Sequence, residues 1–318
     1  MILFTFGPYF AMGAALEKLP FCRAGLVTMA HYENGELHAS TLTPVSGEHC
    51  LVLGSVAPLG EQLLSVLLLA HTLKKEGARK VTALLPYLAY RRQDKDKPGQ
   101  SLATAWAGSL LQASGFDQVI TIDSHSERDR QLFPIPLISF STAGIFADAI
   151  RKYQLTDATI VAPDNGAIGR CDAVKRAAGM ARTETPYFEK QRTETGITHV
   201  GPIGSVGTRV VIIDDMIDTG TTLVSACEKL HRSGVQEIYI MVTHGLFTGA
   251  NWKKLWTLGV RRIFCTDTLP LAADLDERNI VSLSVIPLLQ QELLSLQTGG
   301  ESAEHPALPP ASMMCSIS

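Results

Sequence analysis

The chain is 318 residues long, 46% hydrophobic and 19% charged, with a formal net charge of −3. That length suits two compact domains, and the near-balanced charge excludes broad attraction to nucleic acid or an anionic membrane. The six cysteines form no C-x-x-C pair and mostly lie in apolar runs, which reads as reduced, buried thiols of a cytoplasmic protein.

Residues 1–16 have no basic residue ahead of their apolar run, and Gly7-Pro8 interrupts it, so they predict a strand and then a helix rather than a leader. No apolar run is long enough to span a bilayer. Residues 27–29 lead into Tyr32-Glu33-Asn34-Gly35-Glu36, and Asn34-Gly35 between two extended runs predicts a hairpin. Residues 50–53 form a buried strand. The helix after Pro58 has an apolar face through Leu63, Leu64, Val66, Leu67 and Leu69. Strand 80–85 ends at Pro86-Tyr87. The segment from Tyr90 to Ser101 that follows is the most charged in the chain; its Arg and Lys residues suit a polyphosphate, or simply a solvated loop. Helix 102–113 leads to strand 118–122, which ends in Asp123-Ser124-His125-Ser126. A His at a strand end suits a metal–nucleotide complex or a structural hydrogen bond.

The layout then repeats. Helix 142–153 leads to strand 159–162, which ends in Pro163-Asp164-Asn165-Gly166-Ala167, and helix 170–178 follows. In the strand 186–193, Lys190 and Arg192 alternate and so share a face, a costly arrangement unless an anion meets them. The chain is organised around the next stretch. Val210-Val211-Ile212-Ile213 reads as a strand buried on both faces, ending at Asp214-Asp215. Met216-Ile217-Asp218-Thr219-Gly220-Thr221-Thr222 then turns into a helix. Ligands of open α/β sheets bind at the carboxyl ends of strands. The N–H groups of a helix start attract phosphate, and carboxylates accept from sugar hydroxyls or face Mg²⁺. Strand 237–243, ending in His244-Gly245, and strands 262–265 and 281–285 complete the pattern. Residues 298–318 are Gly-, Ser-, Pro- and Ala-rich and predict a disordered tail.

The β-α alternation occurs twice, with a break near residues 139–143. It predicts two tandem doubly wound α/β domains, 1–142 and 143–297, facing each other across a cleft.

From about residue 28 to 269 these segments resemble the phosphoribosyl-pyrophosphate synthetase (ribose-phosphate pyrophosphokinase) family, in the family's order. Tyr32 to Glu36 is similar to its F-x-D-G-E hairpin, Arg92-Gln93-Asp94-Lys95 to its R-Q-D-K loop, and Asp123-Ser124-His125 to D-L-H. Pro163-Asp164 is similar to a P-D turn, Lys190-x-Arg192 to a K-x-R flap, the run from Asp214 to Thr222 to the ribose-phosphate loop, and Thr243-His244-Gly245-Leu246-Phe247 to T-H-G-L-F. Asn34, Ser124 and Thr221 depart from the family pattern.

The resemblance implies two parallel-sheet domains of phosphoribosyltransferase type. The implied reaction is Mg²⁺-dependent transfer of the β,γ-diphosphoryl group of ATP to ribose 5-phosphate, supplying nucleotide, His and Trp synthesis. It implies ATP on Tyr32, Asn34, Gly35, Glu36, Arg92, Gln93, Asp94 and His125 of the first domain. It implies ribose 5-phosphate on Asp214, Asp215, Asp218, Thr219, Gly220, Thr221 and Thr222 of the second. Metal would sit at His125 and Asp164, and Lys190 and Arg192 would be catalytic. Because the family hairpin reaches a neighbour's ATP, a homo-oligomer, dimer or hexamer, is implied. Two alternatives remain: a non-catalytic regulatory homologue, which tends to lose flap or metal residues, and a phosphoribosyltransferase, which usually needs one such domain. No Walker loop occurs, which excludes an ordinary P-loop kinase.

Overall fold

The computed structural model describes residues 1–55, 61–124, 127–180, 183–193, 196–271, 275 and 278–297. The chain divides into two units, residues 1–140 with 286–318, and residues 141–285.

In the first unit, β1 (Ile2–Thr5) is followed by α1 (Phe10–Leu16) and the short β2 (Arg23–Ala24). The antiparallel hairpin β3 (Val27–His31) and β4 (Leu37–Thr41) comes next. Then β5 (His49–Leu53), α2 (Glu61–Lys75), β6 (Lys80–Leu85), α3 (Ala103–Ala113), β7 (Gln118–Ile122), α4 (Glu127–Leu132) and β8 (Leu137–Phe140) alternate. The main sheet runs β2-β1-β5-β6-β7-β8, all parallel. On α2, Leu63, Val66 and Leu69 are buried as expected, whereas Leu64 is 60% exposed. A leucine stripe too wide for one buried face leaves its margin in solvent.

The second unit opens with α5 (Ala143–Lys152), β9 (Thr159–Val161) and α6 (Ile168–Ala178). A two-stranded antiparallel arm, β10 (Tyr187–Thr193) and β11 (Gly196–Ile203), follows. Then come β12 (Arg209–Ile217), α7 (Thr221–Arg232), β13 (Glu237–Gly245), β14 (Val260–Thr266) and β15 (Ile280–Leu283). The sheet order β15-β14-β13-β12-β9 is again wholly parallel. Both faces of this sheet are covered. Val210 and Ile212 belong to one core with Leu223, Ala226, Cys227 and Leu230 of α7, while Val211 and Ile213 belong to the other, with Phe146 and Ile150 of α5. Period-two alternation of uniformly apolar residues requires cover on both sides, which explains why this strand reads as an unbroken aliphatic run.

The last helix, α8 (Ile286–Gln297), belongs to the first unit and not to the second domain expected from chain order. It packs against α1 there, burying Leu289 and Leu293, and Gln290 Nε2 donates to the Ala15 carbonyl at 2.9 Å. Cys22, Cys50, Cys171, Cys227 and Cys265 are free and buried. The expected tail, residues 298–318, lies outside the described residues.

Candidate active site

The strand β12 does not end at its carboxylates. Its ladder with β13 continues through Asp214 opposite Val242, Met216 opposite His244 and Ile217 opposite Gly245. Polar residues read as a strand end from sequence, but the backbone pairing carries on beneath them to the carboxyl edge of the sheet. Asp215 is 5% exposed. Its backbone N–H donates to Asp214 Oδ1 at 2.9 Å. Burial first, and then the adjacent Asp215 charge, push the Asp214 carboxyl well above the usual carboxylate range. Arg170 of α6, 3.9 Å away, draws it back, and Asp164 adds a smaller upward push. Two neighbouring carboxylates in a desolvated place disfavour each other's ionisation.

After Asp218 the chain makes its turn into α7. Gly220 stands at the N-cap with φ +78°, and no side chain caps the helix. The first-turn N–H groups have no intrahelical acceptor. Thr219 and Thr221 are exposed, their hydroxyls 3.0 Å apart, and Asn251 Nδ2 donates to the Thr219 carbonyl at 3.3 Å. The loop is therefore shaped by backbone, with its hydroxyls at the surface. Beside it, the ends of β13 and β14 are tied by buried hydroxyls: Thr266 Oγ1 donates to the Thr243 carbonyl at 2.6 Å, and His244 Nδ1 lies 2.9 Å from Thr268 Oγ1.

Asp164 precedes a 3₁₀ turn over Asn165–Ala167, and its Oδ1 accepts from the Ala167 N–H at 3.2 Å. That turn leads into α6, whose Arg170 meets Asp214. The structure thus brings Asp164, Asp214 and Asp215 into one electrostatic neighbourhood with Arg170, a residue sequence reasoning did not select. Its only sequence signal was a cation six residues after Asp164. Lys190 and Arg192 lie on β10, in register with His199 and Ile197 of β11; their side chains are outside the described part. The root of the arm is held by the Pro186 carbonyl accepting from Ala162 N–H at 2.9 Å.

In the first unit, Arg92 and Gln93 are exposed, and Gln93 Oε1 accepts from Ser101 Oγ at 2.7 Å. Asp94 is 8% exposed, so its carboxylate is largely withdrawn from solvent. His125 lies outside the described residues. At the hairpin tip Tyr32 is 59% exposed and its ring lies against His38 at 5.2 Å. Asn34 Oδ1 accepts from the Glu36 N–H at 3.1 Å, so this side chain closes the turn, and Gly35 supplies the left-handed φ of +87°. Among the described residues no group of three or more His, Cys, Asp or Glu could hold a metal alone. No helix among them is long and apolar enough to cross a membrane.

Residues 11–115 match the family model described as the N-terminal domain of ribose phosphate pyrophosphokinase. Residues 164–296 match that of the phosphoribosyl synthetase-associated domain. The chain is 26% identical to a ribose-phosphate pyrophosphokinase of Bacillus caldolyticus, over 92% of this chain and 93% of that one. It is 30% identical to one of Corynebacterium efficiens, over 86% of each. The solved structure of a phosphoribosylpyrophosphate synthetase from Mycobacterium smegmatis superposes with a TM-score of 0.83 at 25% identity, covering 94% of this chain and 99% of that one. Two matched domains in order, identity over most of the length and a shared two-domain fold agree: the chain belongs to the ribose-phosphate pyrophosphokinase family.

Proposed function

We propose that the protein transfers the β,γ-diphosphoryl group of ATP to the C1 hydroxyl of D-ribose 5-phosphate, giving 5-phosphoribosyl 1-diphosphate and AMP. One observation carries the reading: an uncapped helix start with exposed threonines follows a half-buried and a buried carboxylate, Asp214 and Asp215, at the carboxyl edge of a parallel sheet. Such a pairing suits a ligand with a phosphate at one end and hydroxyls at the other.

On this reading the first-turn N–H groups of α7 and the Thr219 and Thr222 hydroxyls take the 5-phosphate, with Asp218, Gly220 and Thr221 shaping the loop. Asp214 and Asp215 accept from the ribose hydroxyls. Arg92 and Gln93, with Asp94, His125 and the hairpin residues Tyr32 to Glu36, hold ATP. The C1 oxygen attacks the β-phosphorus, the bond from that phosphorus to the α,β-bridging oxygen breaks, and AMP departs with that oxygen. The hydroxyl proton is released. Charge grows on the phosphoryl oxygens and on the departing AMP, and Lys190 and Arg192 are the cations positioned along the chain to meet it.

Mg²⁺ is commonly held by one or two carboxylates, with water and substrate phosphates completing its shell. Asp164, or Asp214 with its neighbour Asp215, would supply those one or two protein carboxylates, since the described residues form no three-residue cage of their own and the repulsion between adjacent carboxylates is what a divalent cation relieves. His125 would add a ligand on the nucleotide side. When bound, the ion would neutralise phosphate charge. A cytoplasmic homo-oligomer, dimer or hexamer, is the setting we infer from the family.

The test is turnover with purified protein, ATP, Mg²⁺ and ribose 5-phosphate, following AMP with and without inorganic phosphate. AMP that appears only with the sugar phosphate supports the reading. Both ligands bound without AMP would instead identify a regulatory homologue.

A further inference from the structure

We infer that Arg91 is a positioning residue for the nucleotide, an internal brace that fixes the Arg92-Gln93 loop against the end of β7. The inference rests on the reading of Arg92 and Gln93 as nucleotide contacts. Two adjacent arginines have opposite fates: Arg92 is exposed, whereas Arg91 is 2% exposed and is the largest fully enclosed side chain among the described residues. A guanidinium is enclosed only where its fork is met by acceptors. Here Nε donates to the Leu88 carbonyl at 2.6 Å and Nη1 to the Asp123 carbonyl at 2.7 Å. Leu88 lies at the root of the charged loop. Asp123 directly follows β7, two residues before His125. One side chain thus ties together the two segments assigned to ATP.

The backbone around this brace is strained at both of its ends. Tyr90 has φ +66° and Asp123 φ +40°, left-handed values that non-glycine residues rarely adopt and that persist only where surrounding contacts over-determine them. Arg91 supplies such a contact at Asp123. Fully buried Thr104 supplies another for the loop, its Oγ1 lying 3.1 Å from the Tyr90 carbonyl and 3.2 Å from that of Gln93. The ring of Tyr90 meets Trp106 edge-on at 5.3 Å. The exposed Arg92 and Gln93 are therefore carried on a loop whose main chain is set from inside. Lysine cannot reproduce this, because a single ammonium on a flexible stem does not present two diverging N–H donors in one plane.

The experiment uses the full chain with Arg91→Lys, Thr104→Val and Arg92→Ala. It measures equilibrium ATP binding, the KM for each substrate, and the melting temperature. Arg91→Lys is expected to raise the KM for ATP about tenfold, the loss that follows a small misplacement of contacting groups, and to leave that for ribose 5-phosphate unchanged. Thr104→Val should act in the same direction and more weakly, which keeps the test open if Arg91→Lys folds poorly. A lowered melting temperature with both KM values unchanged, or raised alike, would show a structural role only and overturn the inference. Arg92→Ala separates the two layers. If it leaves ATP binding intact, the nucleotide reading falls and takes the inference with it. If it weakens ATP binding while Arg91→Lys and Thr104→Val do not, only the brace is wrong.

Discussion

Gly220→Ala isolates the steric requirement of the proposed phosphate loop. A Cβ at this position would lie 2.7 Å from both Cα and Cβ of Trp252 and 3.3 Å from its backbone nitrogen. Carbon atoms pack at about 3.5–4.0 Å, so the shortfall is about 1 Å, against backbone that cannot rotate away. Trp252 is itself fixed: it is 3% exposed, meets Phe247 edge-on at 4.9 Å and donates from Nε1 to the Gly249 carbonyl at 3.0 Å. The left-handed φ of +78° adds a second penalty. The backbone term is worth about 1–2 kcal/mol and overpacking about 1–3, giving roughly 2–5 kcal/mol together. If the loop relieves the clash by moving, the first-turn N–H groups of α7 move about 1 Å, a displacement that can cost about 10²-fold in rate. Gly234→Ala is the control, because it has φ +85° and nothing within 4 Å of its added Cβ. It should lose only the backbone term of about 1–2 kcal/mol and keep its kinetics. Denaturant unfolding and the KM for ribose 5-phosphate of both variants decide the matter. A Gly220→Ala protein no worse than Gly234→Ala in either readout would refute the steric reasoning.

Lys190→Ala should lower kcat by about 10²–10³-fold with little change in ribose 5-phosphate affinity, as expected for a cation acting on transition-state charge; an unchanged kcat with a raised KM contradicts that role. Asp214→Asn keeps an acceptor for the Asp215 N–H and removes a charge that burial and Asp215 disfavour. Unfolding at pH 8 should find it at least as stable as the parent while turnover falls about 10²-fold, and a clear loss of stability would contradict the assignment. His49, with Nε2 2.9 Å from Thr82 Oγ1, has its pKa lowered to about 4 by burial and then by Lys80. Because the folded value lies below the unfolded one, its contribution is full above about pH 6.5 and is lost as pH falls toward 4. After solvent screening of the partly exposed ring this is on the order of 1 kcal/mol, so His49→Gln should flatten the stability profile between pH 7 and 5.

What the sequence disclosed follows from which residues are forced by local physics. The unbroken Val210–Ile213 run had one sensible environment, a strand covered on both faces, and its two cores bear this out. The helix expected after Thr222 is α7, on which Leu223, Ala226, Cys227 and Leu230 are buried at helical spacing. Three features were not legible. The end of β12 was placed early, because a carboxylate signals a loop to any local reading, whereas the pairing partner that prolongs the strand is supplied by β13. The helix α8 was missed and its segment given to the wrong domain, since its buried leucines fit a helix only once α1 is there to receive them. Arg91 and Arg92 are the same residue type side by side, and only tertiary acceptors at Leu88 and Asp123 decide which is enclosed. The candidate stretches were readable as chemistry before they were readable as geometry: carboxylates, threonines and glycine at residues 214–222 suggest a ligand, but not that Arg170 faces Asp214.

The arrangement at the end of β12 also bears on selectivity. On the proposed reading, donors at the start of α7 favour any phosphate, but a bare anion would also approach the buried Asp215 and the half-buried Asp218 and gain nothing from Asp214, whose carboxyl burial holds toward its neutral form. A ligand that places hydroxyl donors on those carboxylates and its phosphate on the helix start satisfies both sets. Binding such a ligand relieves groups that the free protein holds under electrostatic strain. Inorganic phosphate satisfies only one set and leaves the carboxylates as they were. Discrimination between the two then comes from the penalty on the wrong ligand as much as from contacts with the right one. On the proposed reading, the acidic residues of this loop would contribute to a preference for a sugar phosphate alongside the donors that would hold the phosphate itself.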